Sequence, residues 1–149
     1  MTTARVMRSL RPLLGLAGVC ALLGGAAAAP APRDEGAPIR LELNRLETVG
    51  AACRAYLMME NRAEALDSFR LDLFALDLGG VVAQRLAVQL GPVPGGKTVI
   101  KLFDFPGVTC ESVGSVLLND VLACEGEAGP RAGCLDEVAV GTRTVPFLR

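Results

Sequence analysis

The chain has 149 residues, of which 51% are hydrophobic, with 15 basic residues, 16 acidic residues and no histidine. This length allows one domain around one hydrophobic core. Without histidine the chain cannot form a Ser-His or Cys-His nucleophile, and without a basic cluster it lacks the usual features of a nucleic-acid-binding protein.

Residues 1–28 have the order of a secretory signal peptide. Residues 5–11 hold three arginines and no acid, and an apolar run from Leu13 to Leu23 is followed by small residues. We expect cleavage after Ala28, because small residues then occupy the positions that signal peptidase reads. An uncleaved membrane anchor is the alternative, since residues 12–31 have about the 20 residues that a span requires.

Export predicts a periplasmic or secreted protein. Residues 29–37 form a Pro/Ala linker, and residues 38–149 form the folded domain. Cys20 leaves with the signal peptide, and Val19 before it disfavours lipid attachment.

Removing three arginines leaves 12 basic and 16 acidic residues, a net charge near -4 (12 minus 16). We therefore predict no nucleic-acid partner and no cofactor, and membrane association only if the signal segment is retained.

Three strands are predicted first in the domain. In residues 38–47, Ile39, Leu41 and Leu43 alternate with polar residues, which is the period-2 pattern of a half-buried strand. Residues 53–61 and 66–77 alternate in the same way, with Cys53 and Phe69 on the apolar sides.

Four more strands follow. Leu78-Gly79-Gly80 predicts a tight turn, because glycine supplies the positive φ that such a reversal needs. Residues 81–90 set Val82, Leu86, Val88 and Leu90 on one face, and residues 97–105 form the next strand. Residues 110–126 fit either a helix or a short turn followed by a strand from about Ser115 to Cys124; Gly114 and the β-branched content favour the strand. The seventh strand lies within residues 135–145.

Seven short strands at intervals of roughly ten residues predict an all-β fold, an immunoglobulin-like antiparallel β-sandwich.

The sequence GPVPGGKT, residues 91–98, matches the phosphate-loop pattern G-x-x-x-x-G-K-[ST]. A phosphate loop needs a helix after it and backbone donors inside it, whereas Pro92 and Pro94 remove donors and an alternating strand follows. We therefore interpret this segment as a turn between the fourth and fifth strands and predict no nucleotide partner.

Residues 68–105 resemble exported immunoglobulin-like modules of the FxLYD type. In those modules a strand ends in an apolar residue and Asp, a glycine turn follows, and a Pro/Gly turn precedes the next strand. Here Leu76 precedes Asp77 in place of the hallmark tyrosine. The whole pattern is also similar to small exported bacterial proteins. The resemblance implies a fold and a compartment, and no activity.

Four cysteines remain after the signal peptide, which predicts two disulfides with three pairings possible. The immunoglobulin order, in which the second strand is antiparallel to the fifth and the sixth and seventh form a hairpin, implies the pairs Cys53–Cys110 and Cys124–Cys134. No C-x-x-C motif and no histidine is present to make a redox or zinc site, so we interpret these cysteines as structural.

The sequence favours a non-catalytic protein-binding or assembly module of the cell envelope, which would use a sheet face or an exposed edge to contact an unknown envelope protein. Four outward apolar residues are the candidates for this contact: Tyr56, Met58, Phe74 and Leu76. We expect no catalytic residue and no metal ligand. The adjacent Met58 and Met59 point to opposite faces of a strand, so they do not form a copper site.

A small carboxylate-based hydrolase is the alternative, with an acidic pair formed by Asp104 and Asp120. We interpret Asp72, Asp77, Asp104 and Asp120 as solvated or turn-capping acids at strand edges. Asn119-Asp120 lies inside the apolar sixth strand, and its simplest interpretation is a bulge or an outward-facing pair.

Overall fold

A computed structural model of the chain describes residues 36–149. The predicted signal peptide and most of the predicted linker lie outside the described residues, and those assignments stay predictions. Within residues 36–149 there are nine strands and one short 3-10 helix, Cys110–Ser112. The strands are β1 Ile39–Val49, β2 Ala52–Asn61, β3 Ser68–Asp77, β4 Val82–Gln89, β5 Lys97–Pro106, β6 Val113–Gly126, β7 Gly129–Pro130, β8 Val138–Thr142 and β9 Phe147–Leu148.

The strands form two sheets packed face to face. The first sheet has the order β5-β2-β1-β8, and the second has the order β4-β3-β6-β7, with β9 also paired to β6. Alternate side chains of both sheets point between them and form one core, whose largest fully buried members are Ile39, Leu41, Leu43, Leu57, Met59, Leu66, Phe69, Leu71, Leu73, Leu90, Phe105 and Leu118. The predicted all-β sandwich is confirmed.

The seven predicted strands are all present, with the sixth beginning at Val113 directly after the 3-10 helix. The pairs β2–β5 and β3–β6 are antiparallel, as the immunoglobulin order requires. The seventh predicted strand differs: β8 does not form a hairpin with β6, but lies in the other sheet, parallel to β1. A second parallel pair joins β6 to β9, so the sheets are mixed rather than purely antiparallel.

The assignment of Val82 to the inner face is wrong. The β3–β4 register shifts between Ala75 and Leu76, so that Leu76 pairs with Val82 and Ala83 is an extra residue. A bulge of this kind reverses which side chains point inward on one side of it. Val82 is therefore 54% exposed, whereas Val88 and Leu90, beyond the bulge, are buried as predicted.

Two disulfides join Cys53 to Cys110 and Cys124 to Cys134, which is the pairing that the immunoglobulin order implies. The first connects β2 to the 3-10 helix that follows β5. The second connects the end of β6 to the loop before β8, not to a hairpin partner strand. Two disulfides indicate that the protein folds in an oxidising compartment.

The segment GPVPGGKT connects β4 to β5, and the helix that a phosphate loop requires is replaced by strand β5. Its glycines serve close packing: a Cβ at Gly91 would lie 2.7 Å from the Phe69 nitrogen, and one at Gly95 would lie 2.7 Å from the Ala63 carbonyl oxygen. The fully buried Asn61 amide holds this loop by donating hydrogen bonds to the Glu64 and Pro94 carbonyls, at 2.8 and 3.3 Å.

Buried carboxylates are paired. Asp72, on β3, is 1% exposed, and its oxygens accept hydrogen bonds from Arg85 at 2.7 and 3.1 Å and from Asn119 at 2.9 Å. The Arg85 bond, opposed by burial and helped by Asn119, lowers the pKa of Asp72 below its ordinary value of 3.8. Glu42, on β1, is 3% exposed; burial raises its pKa, but bonds from Arg143 and Asn44 outweigh burial, and the net pKa is lowered. Our interpretation of Asp72 as a solvated or turn-capping acid is wrong.

We predict that the two disulfides contribute unequally to stability. Cys53–Cys110 closes a sequence separation of 57 residues and Cys124–Cys134 one of 10. On the chain-entropy account, replacing the first pair by alanine lowers the free energy of unfolding by about 4 kcal/mol and replacing the second by about 3 kcal/mol. Guanidinium denaturation of the two double variants measures this difference, and a larger loss from the shorter loop contradicts it.

We predict that Arg85→Met destabilises the fold at neutral pH more than Arg54→Met does. The Asp72 carboxylate would be left buried without its cation, whereas the Asp104 carboxylate paired with Arg54 is 39% exposed and stays hydrated. Because the folded pKa of Asp72 is lowered, the stabilisation is complete above the unfolded pKa and is lost as pH falls through the folded value.

The difference in free energy of unfolding between the wild type and Arg85→Met therefore narrows in acid. Urea denaturation at pH 7 and near pH 3 measures it. A gap of equal size at both pH values, or an equal cost for Arg54→Met at pH 7, contradicts the assignment.

Candidate functional site

The four predicted contact residues do not form one surface. Tyr56 and Met58 lie on β2, on the outer side of the first sheet, and Phe74 and Leu76 lie on β3, on the outer side of the second sheet. All four are half-buried. The two pairs therefore have to be considered as separate surfaces.

Beside Tyr56 and Met58, two aliphatic side chains of β5 are open to solvent. Ile100 pairs with Met58 and Leu102 pairs with Tyr56, and they are 58% and 52% exposed. We call these four residues, Tyr56, Met58, Ile100 and Leu102, the β2–β5 face. Ile100 and Leu102 were not among the predicted contact residues. They alternate along β5 with Val99 and Phe103, which pair with the inward Met59 and Ala55.

Tyr56 is held in place within this face. Its hydroxyl donates a 2.6 Å hydrogen bond to the Glu47 carboxylate, and the Arg45 guanidinium lies 5.4 Å from the ring centroid. The hydrogen bond to Glu47, with burial, raises the pKa of the Tyr56 phenol. A fixed aromatic side chain loses little conformational freedom on binding, which is why tyrosine is common at interface hot spots.

Ion pairs surround the apolar centre of the face. Arg54 and Asp104 are a cross-strand pair, two positions along the β2–β5 ladder from Tyr56 and Leu102. The Arg54 guanidinium donates two hydrogen bonds to the Asp104 carboxylate, at 2.8 and 3.0 Å. Arg45 pairs with Glu47 at 3.4 Å, and Arg40 pairs with Glu42 at 3.0 Å on the β1 side. An apolar centre inside a polar, paired rim is the usual anatomy of a protein-binding surface.

The β5 edge of the first sheet has a feature that disfavours the addition of another strand. β5 is the end strand of the first sheet, and its outer edge has no partner strand within residues 36–149. The chain's two lysines, Lys97 and Lys101, both lie on β5. Lys101 pairs with the buried Leu57 and so lies on the inner face. An inward-pointing lysine on an edge strand disfavours edge-to-edge pairing.

Phe74 and Leu76 are half-buried on the outer side of the second sheet. The Arg85 guanidinium, fixed by Asp72, lies 5.5 Å from the centre of the Phe74 ring. Leu76 lies between its two strand partners, Val82 and Ser115. Both side chains are less exposed than Ile100 and Leu102, so this pair is a weaker candidate than the β2–β5 face.

The structure does not bring the acids of the hydrolase alternative together. Asp104 lies on β5 in the first sheet, and Asp120 lies on β6 in the second. The Arg54 hydrogen bond lowers the pKa of Asp104, the opposite of what a general acid needs. Asp120 accepts a 2.8 Å hydrogen bond from the Val121 nitrogen. Asn119 is the extra residue of a bulge opposite Asp72 and Leu73, in agreement with the simplest interpretation of that pair.

Asp77 is a turn-capping acid, as expected, because its carboxylate accepts hydrogen bonds from the nitrogens of Gly79 and Val81. In the described part of the chain no three histidine, cysteine or acidic residues are grouped so that they could hold a metal ion. The same part contains no helix long and apolar enough to span a membrane.

Comparison with known proteins supports the fold and gives no family. No protein-family model and no curated protein matches the chain. Among solved structures, the chain is similar to IrmA from Escherichia coli, with a TM-score of 0.52 and 13% identity over 70% of this chain and 91% of that one. At this identity the likeness shows a shared β-sandwich fold and carries no function from one protein to the other.

Proposed function

We propose that the protein is an exported, non-catalytic binding module of the cell envelope that contacts a protein partner through the β2–β5 face. The observation that carries the proposal is the exposure of Ile100 and Leu102 beside the fixed ring of Tyr56. The signal-like residues 1–28 and the two disulfides support a periplasmic or secreted location.

The partner that fits this face has a flat or gently curved surface with an apolar centre. The centre would bury Ile100 and Leu102 fully, and the Arg54–Asp104 pair would lie at the rim. Rim ion pairs add little affinity but exclude wrongly charged partners, so the apolar centre supplies most of the binding free energy. The alternative use of the edge by strand addition is disfavoured by Lys101.

Crosslinking tests the proposal. A photo-crosslinking amino acid at Leu102 should join the protein to a different envelope protein in living cells, whereas the same residue at Leu122, which is 38% exposed on the second sheet, should not. Ile100→Ser with Leu102→Ser should weaken binding of the crosslinked partner by about thirtyfold or more, because two central hot-spot side chains are lost. Leu122→Ser is the matched control.

Both variants should keep the unfolding midpoint of the wild type, since the substituted side chains are exposed. Crosslinks that join only copies of this chain, equal crosslinks from the two sites, or partner binding that survives the double substitution would each contradict the proposal.

A further inference from the structure

The turn between β3 and β4 exposes three aliphatic side chains at one end of the sandwich. Leu78 is 78% exposed, Val81 is 64% exposed and Val82 is 54% exposed. We call residues 78–82, LGGVV, the hairpin tip. The tip contains no charged residue, and a small exported domain gains no folding stability from aliphatic side chains left in water.

Internal hydrogen bonds hold the hairpin tip and use its backbone donors. The Asp77 carboxylate accepts hydrogen bonds from the nitrogens of Gly79 and Val81, at 2.8 and 2.9 Å, and the Gly80 nitrogen donates to the Asp77 carbonyl at 3.0 Å. The base of the tip is packed against β6: a Cβ at Gly114 would lie 2.4 Å from the Asp77 carbonyl oxygen. The aliphatic side chains are thus presented in a fixed arrangement.

A second turn at the same end is also free of charge. Residues 49–52, VGAA, join β1 to β2, and Val49 is 38% exposed. The Gly107 nitrogen donates to the Ala51 carbonyl at 2.9 Å, and the Cys53–Cys110 disulfide ties this turn to the 3-10 helix that leads into Gly114. The two turns therefore lie at one end of the molecule.

The opposite end carries charges of both signs. Glu64 and Glu127 line one cleft there, and Lys97 begins β5 opposite Asn61. β3 runs from this end to the hairpin tip over 10 residues, a distance of roughly 33 Å at the usual rise per residue. Residues 78–82 and 49–52 carry no charge themselves, and the nearest acids at their end are bonded: Asp77 to the nitrogens of Gly79 and Val81, and Glu111 to the Thr48 hydroxyl.

We propose that the hairpin tip inserts into the apolar layer of a lipid surface. A lipid surface fits better than a protein pocket, because the tip is convex and offers no free donor at Gly79, Gly80 or Val81 for a partner to recognise. Backbone N–H groups that are already bonded add little desolvation cost on approach to hydrocarbon, and the aliphatic side chains gain by entering it. The Asp77 carboxylate at the base of the tip would stay at the level of the lipid headgroups. This contact is separate from the β2–β5 face and needs no transmembrane segment.

A tryptophan at position 78 tests the proposal, because the chain contains no tryptophan and the new indole is the only one. With phosphatidylcholine vesicles containing phosphatidylglycerol, Leu78→Trp fluorescence should shift to shorter wavelength and be quenched by brominated acyl chains. Leu102→Trp, at a position 52% exposed on the β2–β5 face, is the matched control and should show neither change. The protein is used as recovered from exporting cells, so a retained leader would affect both variants alike.

Leu78→Ser with Val81→Ser should reduce vesicle partitioning about tenfold or more, whereas Ile100→Ser with Leu102→Ser should leave it unchanged. Circular dichroism and the unfolding midpoint check that both double variants are folded. Vesicle binding that both pairs reduce equally, an indole at position 78 that stays in water, or a tip that crosslinks to a protein and binds no vesicle would each overturn the proposal.

Discussion

The β2–β5 ladder is the interaction on which the surfaces of this sandwich depend. Its ten residue pairs, from Ala52 with Pro106 to Asn61 with Lys97, continue without a register shift, whereas the β1–β2 and β3–β4 pairs each contain one and the β3–β6 pair contains three. A covalent bond, Cys53–Cys110, and a two-bond ion pair, Arg54–Asp104, lie at the same end of the ladder. A regular ladder holds alternate side chains on a fixed face, which is why Ile100 and Leu102 stay outward beside Tyr56 and Met58.

The same end of the ladder positions the hairpin tip. From Pro106 the chain passes through the 3-10 helix, is tied to β2 by the disulfide, and reaches Gly114, where the absence of a Cβ allows the close approach of Asp77 and Leu78. The two candidate surfaces differ in shape and chemistry. The β2–β5 face lies on the outer side of the first sheet with ion pairs beside its apolar residues, whereas the hairpin tip joins β3 to β4 and exposes three aliphatic side chains without a charge among residues 78–82.

Alternation of apolar residues was enough to predict the seven main strands and the sandwich, because each strand buries one face. It could not predict features that depend on how the strands pair. The bulge near Leu76 exposes Val82, β8 crosses to pair with β1, and β7 and β9 have two residues each, too few for any periodicity. The cross-strand position of Arg85 makes Asp72 a buried carboxylate, and the sequence spacing of these two residues does not show that they meet.

For the candidate site the sequence identified Tyr56 and Met58, because both occupy outward positions of a strand whose inward positions are apolar. Ile100 and Leu102 could have been found by the same rule, whereas the separation of Phe74 and Leu76 onto the other sheet follows only from the topology. The effect of the inward Lys101 also follows only from the topology, because a lysine disfavours strand addition only where β5 is an edge strand.

The carboxylates with lowered pKa values do not form the acidic pair of a carboxylate-based hydrolase. Asp72, Asp104, Glu42 and Glu60 each have an arginine partner that lowers the pKa, so each stays ionised at neutral pH. An acid–base enzyme needs two carboxyl groups whose environments move their pKa values apart and which face one substrate. Here the shifts all have the same sign, and Asp72 and Asp104 belong to different sheets. Asp72 and Asp104 instead form ion pairs with arginines on neighbouring strands, β3 with β4 and β5 with β2, and so help to hold those strands together.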